Sequence, residues 1–204
     1  MAQKPKKKPP VKKTASPKAA TDIKESIVLA ALALAAERDW AQVSLRDIAR
    51  KGKISLSALR GACEDKTDIL VLIGRSIDRK VLEGLGTMSG PPRDQLFDVL
   101  MQRFDVLQED REAVSSILRS FLSEPKQAII SLPHLCRSMN WMLEAAGMET
   151  AGAKGAAKIF GLSVIYLKVL KDWMEDDSED LSKTMASLDQ MLSRADQVAD
   201  RLGL

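Results

Sequence analysis

The sequence predicts an all-α protein with a small N-terminal module and a larger C-terminal helical domain. Two short segments near the N-terminus each begin with a helix-capping serine, and a tight turn separates them. Residues 67–204 contain few β-branched runs and no alternating segments, while leucine, alanine, methionine and charged residues recur at helical spacing. At 204 residues the chain is long enough to bury a core in such a domain.

The first twenty residues form a basic segment that differs from the rest of the chain. They contain seven lysines, four prolines and no acid, whereas the whole chain has a net charge of only +3. This composition predicts a disordered tail over residues 1–20. Its charge would favour DNA phosphates or an acidic lipid surface, unless the tail serves only solubility.

The first predicted helix runs from Asp22 to Asp39, with Thr21 as its cap and Trp40 at its end. Its apolar residues recur every three or four positions and form one stripe: Ile23, Ile27, Ala30, Ala31, Leu34 and Ala35. A two-helix motif cannot fold alone. This stripe is therefore expected to cover the apolar side of the two short helices that follow.

The two short helices have the form of a helix-turn-helix. Ser44 and Asp47 have capping-box spacing, and Ser55 can cap the second helix. Gly52 lies in the turn, and residues 45–60 contain five basic side chains against one acid. The pattern indicates a DNA-binding domain over residues 21–66, although small helical domains that do not bind DNA can show the same stripes and caps.

The larger domain, residues 67–204, is predicted to continue the helix that begins near Lys66. Glycines and prolines within residues 84–92 should break that helix. Further helices are expected from Arg93 onward and over residues 110–123, 126–147, 153–175 and 179–201. Pro133 is expected to kink or split the helix over 126–147.

Several classes of function lack their sequence signals. Cys63, Cys136 and His134 are too few and wrongly spaced for a metal site, and no catalytic or cofactor-binding motif is present. The acids of residues 175–180 are interpreted as a solvated connection in which Ser178 or Asp180 caps the next helix. The longest apolar run has ten residues, so no membrane span is expected and the predicted location is cytoplasmic.

Residues 36–40, 43–49 and 54–55, followed by Lys66 and Ile69-Leu70, resemble the DNA-binding domain of the TetR family. The resemblance covers roughly residues 22–73, although Lys53 stands where that family usually has glycine. It implies that the helix starting at Ser55 enters the major groove of double-stranded DNA, with Leu59 in the core. It implies DNA contacts by Leu56, Ser57 and Arg60 and phosphate contacts by Ser44, Arg46 and Lys66. Ser55 is also expected at the DNA interface.

Residues 93–194 resemble a second family, the coenzyme Q biosynthesis accessory protein Coq nine. The resemblance lies in residues 96–104, Trp141, Ala146-Gly147, Tyr166, residues 172–178, Thr184 and Leu188-Asp189. It implies a TetR-like fold, dimerisation and a pocket for an isoprenoid lipid. The pocket would be lined by Phe97, Leu100, Met101, Phe104, Trp141, Met142 and Phe160, unless these residues simply fill a core.

Residues 153–175 and 179–201 form a predicted hairpin with more apolar surface than one helix pair buries, which favours a homodimer. The leading hypothesis is a homodimeric, non-enzymatic transcriptional regulator that binds DNA and responds to an apolar ligand. The alternative is a lipid-binding accessory protein of ubiquinone biosynthesis that keeps the fold without operator binding.

Overall fold

The computed structural model describes residues 17–123 and 125–202, and within these ranges all regular secondary structure is helical, as predicted. The α-helices are α1 (Pro17–Glu37), α2 (Leu45–Lys51), α3 (Leu56–Ala62), α4 (Lys66–Gly84), α5 (Pro92–Glu109), α6 (Arg111–Ser123), α7 (Pro125–Ala145), α8 (Gly152–Met174) and α9 (Ser182–Leu202). A short 3-10 helix, Trp40–Gln42, lies between α1 and α2.

Helix α1 begins five residues before the predicted Asp22. Its first residue is Pro17, whose fixed φ and missing N–H suit the first turn of a helix. Residues 17–20, which the sequence assigned to the tail, are thus the first residues of α1. Residues 1–16 lie outside the described residues.

The N-terminal core is built by α1 to α4 together with part of α6. Ile27, Ala31, Trp40 and Ile48 are almost completely buried, and Ala113 and Ile117 of α6 join the same cluster. Ser116 on α6 accepts a hydrogen bond from the Trp40 backbone N–H at 3.0 Å and donates one to the Arg38 carbonyl at 3.2 Å. Helix α6 therefore packs on α1 and on the 3-10 helix that leads into the helix-turn-helix.

The second core lies among α4, α5, α7, α8 and α9. Its largest fully buried side chains include Phe104, Met142 and Trp173, and the Phe104 ring stacks on Tyr166 with centroids 5.6 Å apart. One charged side chain, Arg103, lies inside this core with only 4% of its surface exposed.

Helix α7 continues through Pro133, so this proline does not split it as one reading of the sequence expected. Proline has no N–H, and α7 therefore lacks one intrahelical hydrogen bond at that turn. Helix α9 begins at Ser182, three residues later than predicted. The intervening residues form a turn, in which the Ser178 hydroxyl and an Asp180 carboxylate oxygen accept hydrogen bonds from the Ser182 N–H at 3.0 and 3.2 Å.

Candidate nucleic-acid interface

Helix α2 starts with the predicted capping box. The Ser44 hydroxyl accepts a hydrogen bond from the Asp47 N–H, and the Asp47 carboxylate accepts one from the Ser44 N–H, each at 3.2 Å. Hydrogen bonds from Ser44, reinforced by Arg38 and Arg50, lower the pKa of Asp47. The one acid of the motif is therefore ionised at neutral pH and already held by neighbouring cations.

The turn between α2 and α3 is shaped by two residues. A Cβ atom at Gly52 would lie 3.2 Å from the carbonyl oxygens of Ile48 and Ser26, so a larger residue would press α1 away from the turn. Lys53, not Gly52, has the left-handed backbone, with φ of 52°. This conformation is unfavourable for a residue with a Cβ, which explains why the TetR family usually has glycine at this position.

Helix α3 presents one exposed face and one anchored face. The Ser55 hydroxyl accepts a hydrogen bond from the Ala58 N–H at 3.1 Å and lies 2.9 Å from the Ser57 hydroxyl. Leu59 is 2% exposed, which confirms its predicted core position, whereas Leu56 is 51% exposed. Leu56, Ser57 and Arg60 are therefore all available to a partner.

The cations around α2 and α3 differ in how firmly they are held. Lys51 pairs with Glu37, and Arg60 lies 3.8 Å from Glu64 in an exposed pair that solvent weakens. In the part of the chain that the structure describes, Arg46 and Lys53 are exposed and have no acidic partner. Lys53 is a candidate phosphate contact that was not among the residues predicted from the sequence, although its place in a basic turn was a signal.

Lys66 has a different environment from the other predicted DNA contacts. Its ammonium group donates a hydrogen bond to the Trp40 carbonyl at 2.7 Å and lies 4.6 Å from the centre of the Trp40 ring. It therefore ties the start of α4 to the residue that packs behind the motif. The other six predicted contacts, Ser44, Arg46, Ser55, Leu56, Ser57 and Arg60, are exposed.

The seven residues predicted to line a pocket do not surround one cavity. Leu100, Phe104 and Met142 are fully buried, Phe97 and Met101 pack partly buried against the same core, and Trp141 and Phe160 are 55% and 68% exposed. Five of the seven residues therefore belong to a packed core, which is the alternative left open from the sequence. A cavity of about 230 Å³ does exist, but of the seven only Trp141 lines it.

This cavity lies between α4, α6 and α7, close to the N-terminal module. Its apolar wall comes mainly from α4 and α6: Leu70, Val71, Ile73, Ile77, Val114, Ile117, Leu118 and Phe121. Ile117 belongs both to this wall and to the core of the helix-turn-helix. A molecule in the cavity would therefore touch a helix that packs on α1 and on the 3-10 helix beside the helix-turn-helix.

Helices α8 and α9 carry a second, shallower feature. A groove of about 550 Å³ lies between them, lined in part by Phe160, Val164 and Val198, which are each at least half exposed. Exposed apolar side chains along a groove are typical of a surface that binds another protein.

Across the described helices, none is both long and apolar enough to cross a membrane.

Solved structures provide the comparison for this fold. A TetR transcriptional regulator from Nitrosomonas europaea is 26% identical, with a TM-score of 0.66, and the match covers 86% of this chain and 98% of that one. A TetR transcriptional regulator from Rhodococcus sp. RHA1 is 19% identical, with a TM-score of 0.57, covering 84% of this chain and 96% of that one.

No family model and no curated protein matches the sequence. The chain has the TetR-like fold that the sequence predicted. The resemblance to Coq nine has no counterpart in these comparisons and stays a prediction.

Proposed function

We propose that this chain, which has the TetR-like fold, is a homodimeric, DNA-binding transcriptional regulator whose operator affinity changes when a small molecule binds. The exposed face of α3 carries this proposal. Leu56, Ser57 and Arg60 lie on the exposed face of α3, while Leu59 anchors the opposite face of the helix in the core. An exposed, capped helix beside basic residues can enter the major groove, where an exposed leucine can contact a thymine methyl.

Each side chain on this face has a chemical role in the proposal. Arg60 can donate two hydrogen bonds to a guanine edge, Ser57 can pair with several base groups, and Leu56 can contact a thymine methyl. Ser44, Arg46 and Lys53 would contact phosphates and fix the orientation of the motif. Ser55 holds α3 through its cap. Lys66 would position the start of α4 through its hydrogen bond to the Trp40 carbonyl, beside the phosphate contact predicted for it.

A dimer would give the protein two recognition helices. The groove between α8 and α9 leaves apolar side chains exposed that a second copy of this face could cover. Two copies of α3 could then meet half-sites about 34 Å apart, one turn of duplex. The operator would accordingly be palindromic.

The dimer can be tested with Phe160→Glu. Wild type should sediment as two chains of 22.4 kDa at micromolar concentration, and the variant as one, because the substitution places a charge in the apolar interface. Leu29→Glu is the matched control, since Leu29 is 69% exposed and Phe160 68%, and it should leave the dimer intact. A wild-type mass of one chain would refute the dimer.

Ligand response would act through α6. Ile117 faces the cavity and the core of the helix-turn-helix, and the neighbouring Ser116 holds the backbone of Arg38 and Trp40. A ligand changes DNA binding only if it binds the DNA-competent and incompetent arrangements with different affinity. Helix α4 offers a second link, because it lines the cavity and begins at Lys66 beside Trp40.

Selection of bound fragments from the host genome by the purified protein tests the proposed function. Recovery of one palindromic site would support a regulator and would identify its target genes. Diffuse, salt-sensitive recovery without a shared site would refute operator binding. It would favour the alternative predicted from the sequence, a lipid-binding accessory protein, which mass analysis of copurified lipid would then test.

A further inference from the structure

We infer that the cavity between α4, α6 and α7 binds a small organic acid, with its apolar body inside and its carboxylate at the mouth. This inference rests on the proposed function in one respect, since it names the class of molecule to which the regulator would respond. The size of the cavity, the arginines at its mouth and the compensated charge of Asp78 each support it.

The size of the cavity limits the ligand. A volume of about 230 Å³ holds as much as about eight water molecules at roughly 30 Å³ each. Most of its wall is apolar, with Val114, Leu118 and Phe121 on one side. A single ring or a short aliphatic chain fits such a space, whereas a long isoprenoid chain would not be enclosed.

Two arginines lie where the cavity meets solvent. Arg75 on α4 and Arg137 on α7 both line it and are both exposed. A shallower depression of about 430 Å³ shares Arg75, Asp78 and Trp141 with the cavity, which places the mouth at these residues. In the described part of the chain, neither Arg75 nor Arg137 forms an ion pair.

One carboxylate, that of Asp78, belongs to the cavity wall, and its charge is already compensated. Its Oδ1 atom accepts hydrogen bonds from the Arg103 guanidinium and the Ser138 hydroxyl, each at 2.5 Å. The depression at the mouth is also lined by Arg79 and Glu83, which pair with each other at 4.0 Å. Among the described residues at the mouth, Arg75 and Arg137 are therefore the cations without an acidic partner. Arginine binds carboxylates through paired, charge-assisted hydrogen bonds, so an anion is favoured there and a cation is not.

The experiment compares acids with their uncharged amides by titration calorimetry on the full chain. The probes are phenylacetate, 3-phenylpropionate and octanoate, each with its amide. At least one acid should bind at least tenfold more tightly than its amide. Arg75→Gln and Arg137→Gln should each weaken that acid severalfold and leave the amide unchanged. Arg119→Gln is the matched control, because Arg119 is exposed on α6 and does not line the cavity.

The outcomes separate this inference from the proposed function. Equal binding of acid and amide, an acid affinity unchanged by both arginine substitutions, or no binding by any of the acids would overturn the inference. Operator binding is measured separately on the same preparations without any probe. An operator site without acid binding would refute the inference alone, whereas acid binding without an operator site would refute only the regulator.

Discussion

Arg103→Met should lower the free energy of unfolding by about 3–5 kcal/mol, the usual cost of removing one partner from a buried ion pair. Arg103 is 4% exposed, and its guanidinium donates to the Asp78 carboxylate at 2.5 Å and to the Tyr166 hydroxyl at 3.1 Å. Methionine can fill the same space but leaves the Asp78 charge without its cation. The expected loss of stability is therefore the free energy of keeping the Asp78 carboxylate in the folded protein without a paired cation.

Two further variants make this prediction specific, with denaturant unfolding at pH 7 as the measurement. Asp78→Asn combined with Arg103→Met removes both charges and should recover part of the loss. Lys80→Met breaks the exposed Lys80–Glu109 pair and should cost at most about 1 kcal/mol. A loss for Arg103→Met no larger than for Lys80→Met would contradict a structural role for the buried pair.

Asp176→Ala should lower the free energy of unfolding by about 2–4 kcal/mol, because it removes a helix cap and leaves buried donors unpaired. One Asp176 oxygen accepts hydrogen bonds from the Thr184 N–H and hydroxyl, each at 2.7 Å. The other accepts from the Ser178 N–H at 3.1 Å and from its hydroxyl at 2.5 Å. Thr184 is completely buried, so water cannot replace the lost acceptor.

The same carboxylate should make stability depend on pH. Burial raises the pKa of Asp176, but hydrogen bonds from Ser178 and Thr184 outweigh burial and hold that pKa far below its usual range. A carboxyl with a depressed folded pKa stabilises the protein above its unfolded pKa of about 3.9, and this stabilisation is lost as the pH falls through the folded value. Wild type should thus lose stability below about pH 4 more steeply than Asp176→Ala.

Asp177→Ala provides the control, since Asp177 is the adjacent exposed acid. This variant should unfold at nearly the wild-type denaturant concentration and keep the wild-type dependence on pH. If the two alanine variants were equally destabilised, the connection between α8 and α9 would be a solvated loop, without the specific cap that the hydrogen bonds indicate.

Caps and helix interiors could be predicted from the sequence because they depend on nearby residues. The capping box of Ser44 and Asp47 needs only three residues of spacing, and it was confirmed atom by atom. Helix starts were less certain where several caps compete. At α9, Ser178 and Asp180 both bond the Ser182 N–H, so the helix begins after both of them.

The cavity could not be predicted because apolar spacing is the same for a filled core and for a cavity wall. Leu100 and Phe104 lie on the inward face of α5, and the pattern does not indicate what they meet there. The cavity depends on how α4, α6 and α7 approach one another. Its arginines, Arg75 and Arg137, are single basic residues on helical surfaces and had no distinguishing sequence signal.

The most direct test of DNA binding is a titration of the selected operator and a scrambled duplex with wild type, Arg60→Ala and Arg46→Ala over a series of salt concentrations. Arg60→Ala should weaken operator binding by about 1–3 kcal/mol and leave the scrambled duplex unaffected. Arg46→Ala should weaken both duplexes alike and reduce the salt slope by about one phosphate contact. Equal losses on both duplexes for Arg60→Ala, or none, would contradict base recognition by α3.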